Sequence, residues 1–179
     1  VFNSFNAYLN LYSQFQKETG KIQSSNINLE INSKNKKNHF FGIGIDANAV
    51  ETYDYYEPRT ADRYVIKPTK IGGYVYVSTN YNNSFAIDVN PSYAFFDEAG
   101  RNSYGFSVGP RYRFNDKLSL NYNFNFFRQN NNKGYIDSTN DDMNSATPNT
   151  IVFANRNVIT YSNTLSGKYS LNSQMTFNI

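Results

Sequence analysis

The sequence of 179 residues contains no cysteine, no tryptophan and only one histidine, His39. Without cysteine, the chain cannot form disulfide scaffolds, thiolate zinc sites or cysteine nucleophiles. A single histidine leaves little material for a histidine-rich metal site or a Ser-His-Asp triad. Charged residues make up only 17% of the chain and its net charge is +3, so the basic footprint of a nucleic-acid-binding protein is missing. We therefore predict no enzymatic activity, no cofactor, no metal and no nucleic-acid partner for this chain.

Long apolar runs are also missing. No stretch approaches the roughly 18 uninterrupted apolar residues of a transmembrane helix. A membrane is not thereby excluded, because a barrel strand needs only about 9–11 residues and alternates between apolar and polar side chains. The chain is instead rich in asparagine, with 29 residues, and in tyrosine and phenylalanine, with 16 and 15. So many aromatic residues argue against disorder.

Apolar and polar residues alternate with a period of two along most of the chain. In one segment, for example, Phe41, Ile43 and Ile45 alternate with glycine and aspartate. Such alternation predicts β-strands, and short polar segments rich in turn residues separate them. We predict about nine strands in an antiparallel up-and-down meander, the last of them cut short. The predicted fold class is all-β, with residues 1–179 forming a single segment.

The predicted connections differ in length at the two ends of the strands. Those after the even-numbered strands are short, at 33–38, 80–83, 115–117 and 170–173. The others include two long loops, at 50–63 and 129–149. This asymmetry is typical of outer-membrane β-barrels. Because the chain starts without methionine and ends within an alternating pattern, we expect an incomplete portion of a larger transmembrane β-barrel.

The apolar face of such a sheet has two interpretations. In a β-sandwich it packs on a second sheet, and the polar face meets water. In a barrel it meets lipid, and the polar face lines a wet interior. Aromatic residues near strand ends, such as Tyr93, Tyr112 and Phe114, favour the barrel because they are placed like the aromatic girdles of membrane interfaces. We predict an outer-membrane location and keep a secreted β-sandwich that recognises glycan or protein as the alternative.

Two prolines lie inside predicted strands. Pro91 and Pro110 both occupy apolar positions of the alternating pattern. Since proline has no N–H to donate to the ladder, we expect a bulge or a local break in the hydrogen bonding at each.

The loop at 50–63 carries the densest cluster of functional groups. Its tyrosines can stack on sugar rings while its carboxylates and guanidinium groups hydrogen-bond, which suits a glycan or peptide ligand. The alternative, which we favour, is a loop folded onto the barrel mouth by Glu–Arg pairs and a proline-fixed turn. The candidate ligand or partner residues are Asp54, Tyr55, Tyr56, Glu57, Arg59 and Arg63.

A second candidate is an inward-facing charged pair, Asp88 and Arg111. A hairpin centred near residues 99 and 100 places them directly opposite each other on neighbouring strands. Such a pair either contributes to a charge filter or neutralises two charges across the sheet, and we favour the structural interpretation.

Two weaker motifs are not retained. Asp137, Asp141 and Asp142 offer oxygen ligands for calcium, but the spacing of an EF-hand is absent. The segment 105–109 fits a G-x-S-x-G pattern, yet it lies inside a predicted strand and no histidine follows it.

Three segments together resemble a known family. They are Tyr-Glu-Pro-Arg at 56–59 followed by Arg63-Tyr64, Gly-Pro-Arg-Tyr-Arg-Phe at 109–114, and Asn-Thr-Leu-Ser-Gly-Lys-Tyr at 163–169. From about residue 50 onward the chain resembles the C-terminal barrel region of Bacteroidota outer-membrane proteins of uncharacterised function. Members of that family carry a family-nine-type carbohydrate-binding module ahead of the barrel. The resemblance implies contact with outer-membrane lipid, and a role as channel, scaffold or docking subunit of a cell-surface assembly linked to glycan handling.

Overall fold

The computed structural model describes residues 2–139, 150–172 and 174–179, and the folded elements in these ranges are β-strands. Among these residues, no helix is long and apolar enough to span a membrane. The strands are β1 (Phe2–Phe15), β2 (Ile22–Asn35), β3 (Phe40–Asn48), β4 (Thr52–Asp54), β5 (Val65–Lys67), β6 (Lys70–Ser78), β7 (Phe85–Phe96), β8 (Asn102–Arg113), β9 (Leu118–Thr139), β10 (Thr150–Ser170) and β11 (Thr176–Asn178).

Nine of these strands form one antiparallel sheet in the order β1-β2-β3-β6-β7-β8-β9-β10-β11. This order confirms the predicted all-β meander, because every strand pairs with its neighbours along the chain once the β4–β5 hairpin is set aside. Apolar residues lie opposite apolar residues, as in the row Leu9, Leu29 and Ile45. Strands β1 and β11 are the two edges of the sheet. Among the described residues no pairing joins these edges, so closure of the sheet into a barrel is not observed.

Burial in this sheet is inverted relative to a water-soluble protein. Apart from Pro58 in the β4–β5 hairpin, Ala86, at 1% exposure, is the only hydrophobic residue that is buried within the described ranges. By contrast, Leu11, Leu165 and Phe5 are 71%, 68% and 67% exposed. The buried polar residues are Ser25, Asn32, Thr52, Ser103 and Ser119. On the central strands the polar face is therefore the more buried one, here called the inner face, and the apolar face is the more exposed outer face. On β1 nearly all residues of both faces are exposed.

A network of polar side chains ties β2, β3 and β6 together on the inner face. The hydroxyl groups of Tyr74 and Tyr76 on β6 cross β3 and donate to the two carboxylate oxygens of Glu30 on β2, at 2.7 Å each. The tyrosine rings pass directly over Gly44 and Gly42, where a Cβ atom would collide with them. Glycine at these two positions is therefore required by the close approach of the rings.

Both prolines interrupt the ladder as expected. No backbone pairs join β6 and β7 at Pro91, or β8 and β9 at Pro110, whereas β7 and β8 stay paired through both positions. The register is the same on either side of each interruption, so these are local breaks without bulges. The missing proline N–H explains the breaks, since each ring nitrogen lies on the side of its strand where the ladder is absent.

Two predicted loops are partly strand. Residues 129–139 were predicted as the start of a long loop, but they continue β9 and pair with β10. Two register shifts interrupt this pairing, so the sequence there does not keep a clean period of two. The predicted loop at 50–63 contains β4, which pairs with β5 to form a short hairpin.

Candidate functional site

The β4–β5 hairpin has a locally determined shape. The Asp54 side chain accepts hydrogen bonds from the backbone amides of Tyr56 and Glu57, at 2.8 and 3.1 Å, which closes a turn after β4. Pro58 follows and is fully buried, and Arg59 adopts a left-handed φ of 54°. The Asp54 carboxylate also forms an ion pair with Lys67 on β5. These contacts explain why a loop rich in charged residues has a defined conformation.

Aromatic contacts attach one side of the hairpin to the start of β2. The ammonium group of Lys21 lies 3.7 Å from the centroid of the Tyr64 ring and 4.7 Å from that of Tyr53. The two tyrosine rings themselves pack edge-on, with centroids 5.1 Å apart. The pKa of Lys21 is raised, first by its hydrogen bond to Tyr64.

The opposite side of the hairpin is attached to β9. The Glu57 carboxylate accepts a hydrogen bond from the backbone amide of Tyr135 at 2.9 Å. The Arg59 guanidinium lies over the Tyr135 ring, 4.7 Å from its centroid. The hairpin thus extends over the inner face between β2 and β9, strands that are five positions apart in the sheet order.

The structure distributes the predicted loop residues between two roles. Asp54, Glu57 and Arg59 hold the hairpin in place through the contacts above, and the Tyr55 hydroxyl lies 3.4 Å from that of Thr19. Tyr56 is 84% exposed, and Arg63 is exposed as well. Tyr56, Arg59 and Arg63 are all exposed, and the ligand or partner role of this loop stays a prediction. The expected Glu–Arg pairing within the loop is replaced by contacts of both residues with Tyr135.

The contacts of the Asp54 carboxylate within the hairpin are favoured in its charged form at neutral pH. Burial acts to raise the pKa of Asp54, but hydrogen bonds from Lys67 and from the Tyr56 and Glu57 amides outweigh it and leave the pKa below its ordinary value. The charged carboxylate is therefore the form that the hairpin favours.

A polar cavity, of about 330 Å³, lies beneath the hairpin. Glu98, in the β7–β8 turn, forms ion pairs of 2.8 Å with both Arg101 and Lys133. The hydrogen bond from Lys133 is the main cause that lowers the pKa of Glu98, with burial opposing it and Arg101 assisting. Arg101 and Lys133 line this cavity together with Lys67, Lys70 and Arg156, so its wall is rich in cations.

The predicted pairing of Asp88 with Arg111 is wrong in register. Asp88 lies opposite Gly109, and Arg111 lies opposite Ala86, because the β7–β8 hairpin is centred one residue earlier than expected. The two charged residues remain on the same face, as a shift of two preserves the side of the sheet. They do not form an ion pair. Instead Asp88 accepts hydrogen bonds from Ser78, at 2.5 Å, and from the Tyr81 hydroxyl, while Arg111 lies over the Tyr81 ring.

Asp88 and Arg111 share the wall of a cavity of about 500 Å³ on the inner face. The cavity coincides with the ladder breaks at the two prolines, and it is also lined by Asn90, Ser107, Asn121 and Asn123. Sequence reasoning missed Ser78 and Tyr81 as partners of Asp88. Tyr81 was read as a turn residue, and nothing in the alternating pattern indicates that its ring folds back over the sheet.

In the part of the chain that it describes, the structure gives no support for the G-x-S-x-G pattern or the calcium-ligand aspartates as sites. Ser107 of the G-x-S-x-G pattern lies within β8. Asp137 lies in β9, whereas Asp141 and Asp142 are outside the described residues. Within the described ranges, no group of three or more potential metal ligands is close enough to hold an ion.

Comparison with known proteins identifies a family for this chain. No curated protein and no solved structure is significantly similar to the chain. One family model, described as a domain of unknown function (DUF5916), matches residues 1–179. Because that match covers the whole length, the chain belongs to the DUF5916 family.

Proposed function

We propose that this domain is a membrane-spanning segment of an outer-membrane β-barrel protein, serving as a channel, scaffold or docking subunit of a cell-surface assembly. The inverted burial carries this proposal. Leaving an apolar surface in water costs roughly 25 cal/mol for each Å² that would otherwise be buried. The exposed aliphatic and aromatic side chains cover a whole face of the sheet. This surface is far larger than the apolar patches that soluble monomers tolerate. Contact with lipid removes that cost.

The inner face supports an aqueous role for the other side. Its side chains are largely asparagine, serine, tyrosine and small residues, linked by amide and hydroxyl hydrogen bonds such as that between Asn6 and Asn32, at 3.0 Å. Such a surface suits a wet lumen. The β4–β5 hairpin then acts as a constriction, because it is held over this face by contacts with β2 and β9.

A resemblance to a known family extends this proposal to the complete protein. The resemblance to Bacteroidota outer-membrane proteins with an N-terminal family-nine-type carbohydrate-binding module suggests that this domain is the barrel region of such a protein. Glycan handling by the assembly follows from that module. The partners in this proposal are outer-membrane lipid, other cell-surface proteins and glycan.

The alternative of a secreted β-sandwich is less well supported. A sandwich needs a second sheet on the apolar face. In the described ranges, the only other sheet is the β4–β5 hairpin, whose contacts are on the polar side. An enzymatic role for Glu57 is also disfavoured, since its carboxylate is engaged by the Tyr135 amide.

The location is tested by extraction and gel mobility of the full-length protein from its native cells. We expect it in the outer-membrane fraction, requiring detergent for extraction, with an electrophoretic mobility that changes on boiling in SDS. A periplasmic soluble protein, extracted under the same conditions, is the control. A protein that stays soluble at high concentration without detergent would contradict the proposal.

A further inference from the structure

The cavity between β6, β7, β8 and β9 has hydrogen-bonding groups left over after its internal contacts are made. Within the described part of the chain, no hydrogen bond is found for the guanidinium of Arg111 or for the side-chain amides of Asn90, Asn121 and Asn123. Arg111 alone offers five N–H donors in a fixed planar arrangement. An amide group both donates and accepts. These groups are therefore available to a bound molecule.

Asp88 and Tyr81 hold the cavity in shape. The two carboxylate oxygens of Asp88 accept from different hydroxyl groups, those of Ser78 and Tyr81. Arg111 lies over the Tyr81 ring, 5.4 Å from its centroid, so this one tyrosine contacts both charged groups. Burial and the hydrogen bond to Asp88 raise the pKa of Tyr81, and its hydroxyl remains a donor at neutral pH. Each carboxylate oxygen keeps a second lone pair for a further donor.

The charge of the cavity narrows the class of ligand. One carboxylate and one guanidinium line it, so the formal charges cancel. An anion attracted by Arg111 meets Asp88, and a cation attracted by Asp88 meets Arg111. A neutral molecule with many hydroxyl groups meets neither penalty, because each hydroxyl both donates and accepts. We propose that this cavity is a binding site for a neutral saccharide.

Gly109 provides a test that leaves both charged groups intact. This residue lines the cavity, and a Cβ built on it lies 3.7 Å from the Asp88 Cβ and 3.9 Å from the Asn123 Oδ1, which is ordinary contact. Gly109→Ala is therefore accommodated, whereas the branched side chain of Gly109→Leu extends into the cavity. The two variants form a matched pair that differs in how much of the cavity they fill.

Binding is measured by isothermal calorimetry on the detergent-solubilised full-length protein. The probes are the neutral oligosaccharides maltohexaose, cellohexaose and chitohexaose, with hexagalacturonate as the acidic counterpart and chitosan hexamer as the basic one. Hydrogen bonds to a charged group contribute about 1.5–3 kcal/mol, so we expect Arg111→Gln to weaken binding of a neutral probe by about tenfold or more. We expect Gly109→Leu to abolish that binding and Gly109→Ala to leave it within about twofold of the unmodified protein.

Arg113→Gln, on the same face of β8 but outside the cavity wall, is the matched control for loss of an arginine. The boiling-dependent mobility of each variant checks its folding. Gly109→Leu tests whether the ligand occupies this cavity without removing a hydrogen-bonding group. Tighter binding of hexagalacturonate or of the chitosan hexamer would overturn the neutral class. If all variants bind a neutral probe equally, the binding site is not this cavity. If no neutral probe binds saturably, the proposal of a saccharide site is overturned.

This inference deepens the proposed function only if the inner face is a lumen, and the two are tested separately. The calorimetry is done in detergent and does not depend on where the protein is located in the cell. A protein that fractionates with the outer membrane yet binds no saccharide refutes the site alone. One that binds saccharide yet is soluble without detergent refutes the membrane proposal alone.

Discussion

At the scale of single residues, glycine and tyrosine act together on the inner face. Gly42 and Gly44 lie beneath the rings of Tyr76 and Tyr74, and these rings reach Glu30 across an intervening strand. The alternating pattern places Gly42 and Gly44 on the polar face but does not reveal why they are glycine. The reason is a contact between strands that are neighbours only in the folded sheet.

This arrangement predicts a large difference between two glycine substitutions. Gly42→Ala forces the Tyr76 ring away and breaks its hydrogen bond to Glu30, so we expect the free energy of unfolding to fall by about 1–3 kcal/mol. Gly73→Ala meets only the Gly44 carbonyl oxygen, at 3.5 Å, and is the control, with no loss expected. Urea unfolding in detergent micelles measures both variants. Equal losses for the two variants would contradict the close approach.

At the scale of elements, the hairpin is held by few contacts at each side. Asp54 closes its turn and pairs with Lys67, and Glu57 attaches it to β9. Loss of the Asp54 charge therefore loosens the segment that contains the exposed Arg63, a trypsin site. We expect Asp54→Asn to increase the rate of tryptic cleavage at Arg63 several-fold, because the substitution removes about 1 kcal/mol of local stability. Asp62→Asn, in the same loop, is the control, and it should cleave at the original rate. Mass spectrometry of the fragments identifies the cut.

The same anchor predicts a dependence on pH. The folded pKa of Asp54 lies below the ordinary value of about 3.9, so its contribution is fully present above that value and is lost as pH falls through the folded pKa. Protection of the Tyr56 and Glu57 amides from hydrogen exchange, corrected for intrinsic rates, should be constant from pH 7 to about 4 and decrease below that. The amides paired between β2 and β3 serve as the reference. Protection that already declines between pH 7 and 5 would argue against Asp54 as the titrating group.

At the scale of the whole molecule, we expect a lysine introduced on the outer face to lower stability and one introduced on the inner face to be tolerated. Leu29 and Asn28 are consecutive on β2, and Leu29 is 46% exposed on the outer face. On a lipid-facing surface a lysine costs about 2–4 kcal/mol near the middle of the bilayer. We therefore expect Leu29→Lys to lower the stability of the protein reconstituted in lipid vesicles.

Asn28→Lys is the matched substitution on the inner face. The Asn28 amide lies 3.1 Å from a carboxylate oxygen of Asp46, so a lysine there meets an acidic partner and is expected to be tolerated. Urea unfolding of both variants in vesicles gives the comparison. A neutral or stabilising Leu29→Lys would indicate a water-facing surface and contradict the membrane proposal.

The accuracy of sequence-based prediction differed between strands and side-chain partners. The alternation of strands such as β3 and β6 was predictable because it repeats at every second residue and needs no knowledge of the rest of the chain. The extension of β9 through residues 129–139 was missed, since its bulges disturb that period. The register of β7 with β8 was off by two residues, because the turn around Gly100, with its left-handed φ of 71°, is not centred where composition alone suggested.

The order of strands, their antiparallel pairing and the division into apolar and polar faces were therefore readable from the amino-acid sequence, because each depends on neighbours along the chain. The sequence left two interpretations of the apolar face open, and only the folded sheet shows that the buried side chains are mainly polar ones. The partners of Glu57, Asp88 and Arg111 were likewise decided by tertiary structure. Their contacts join residues far apart in sequence or folded back from a turn, and a pattern of period two carries no information about such contacts.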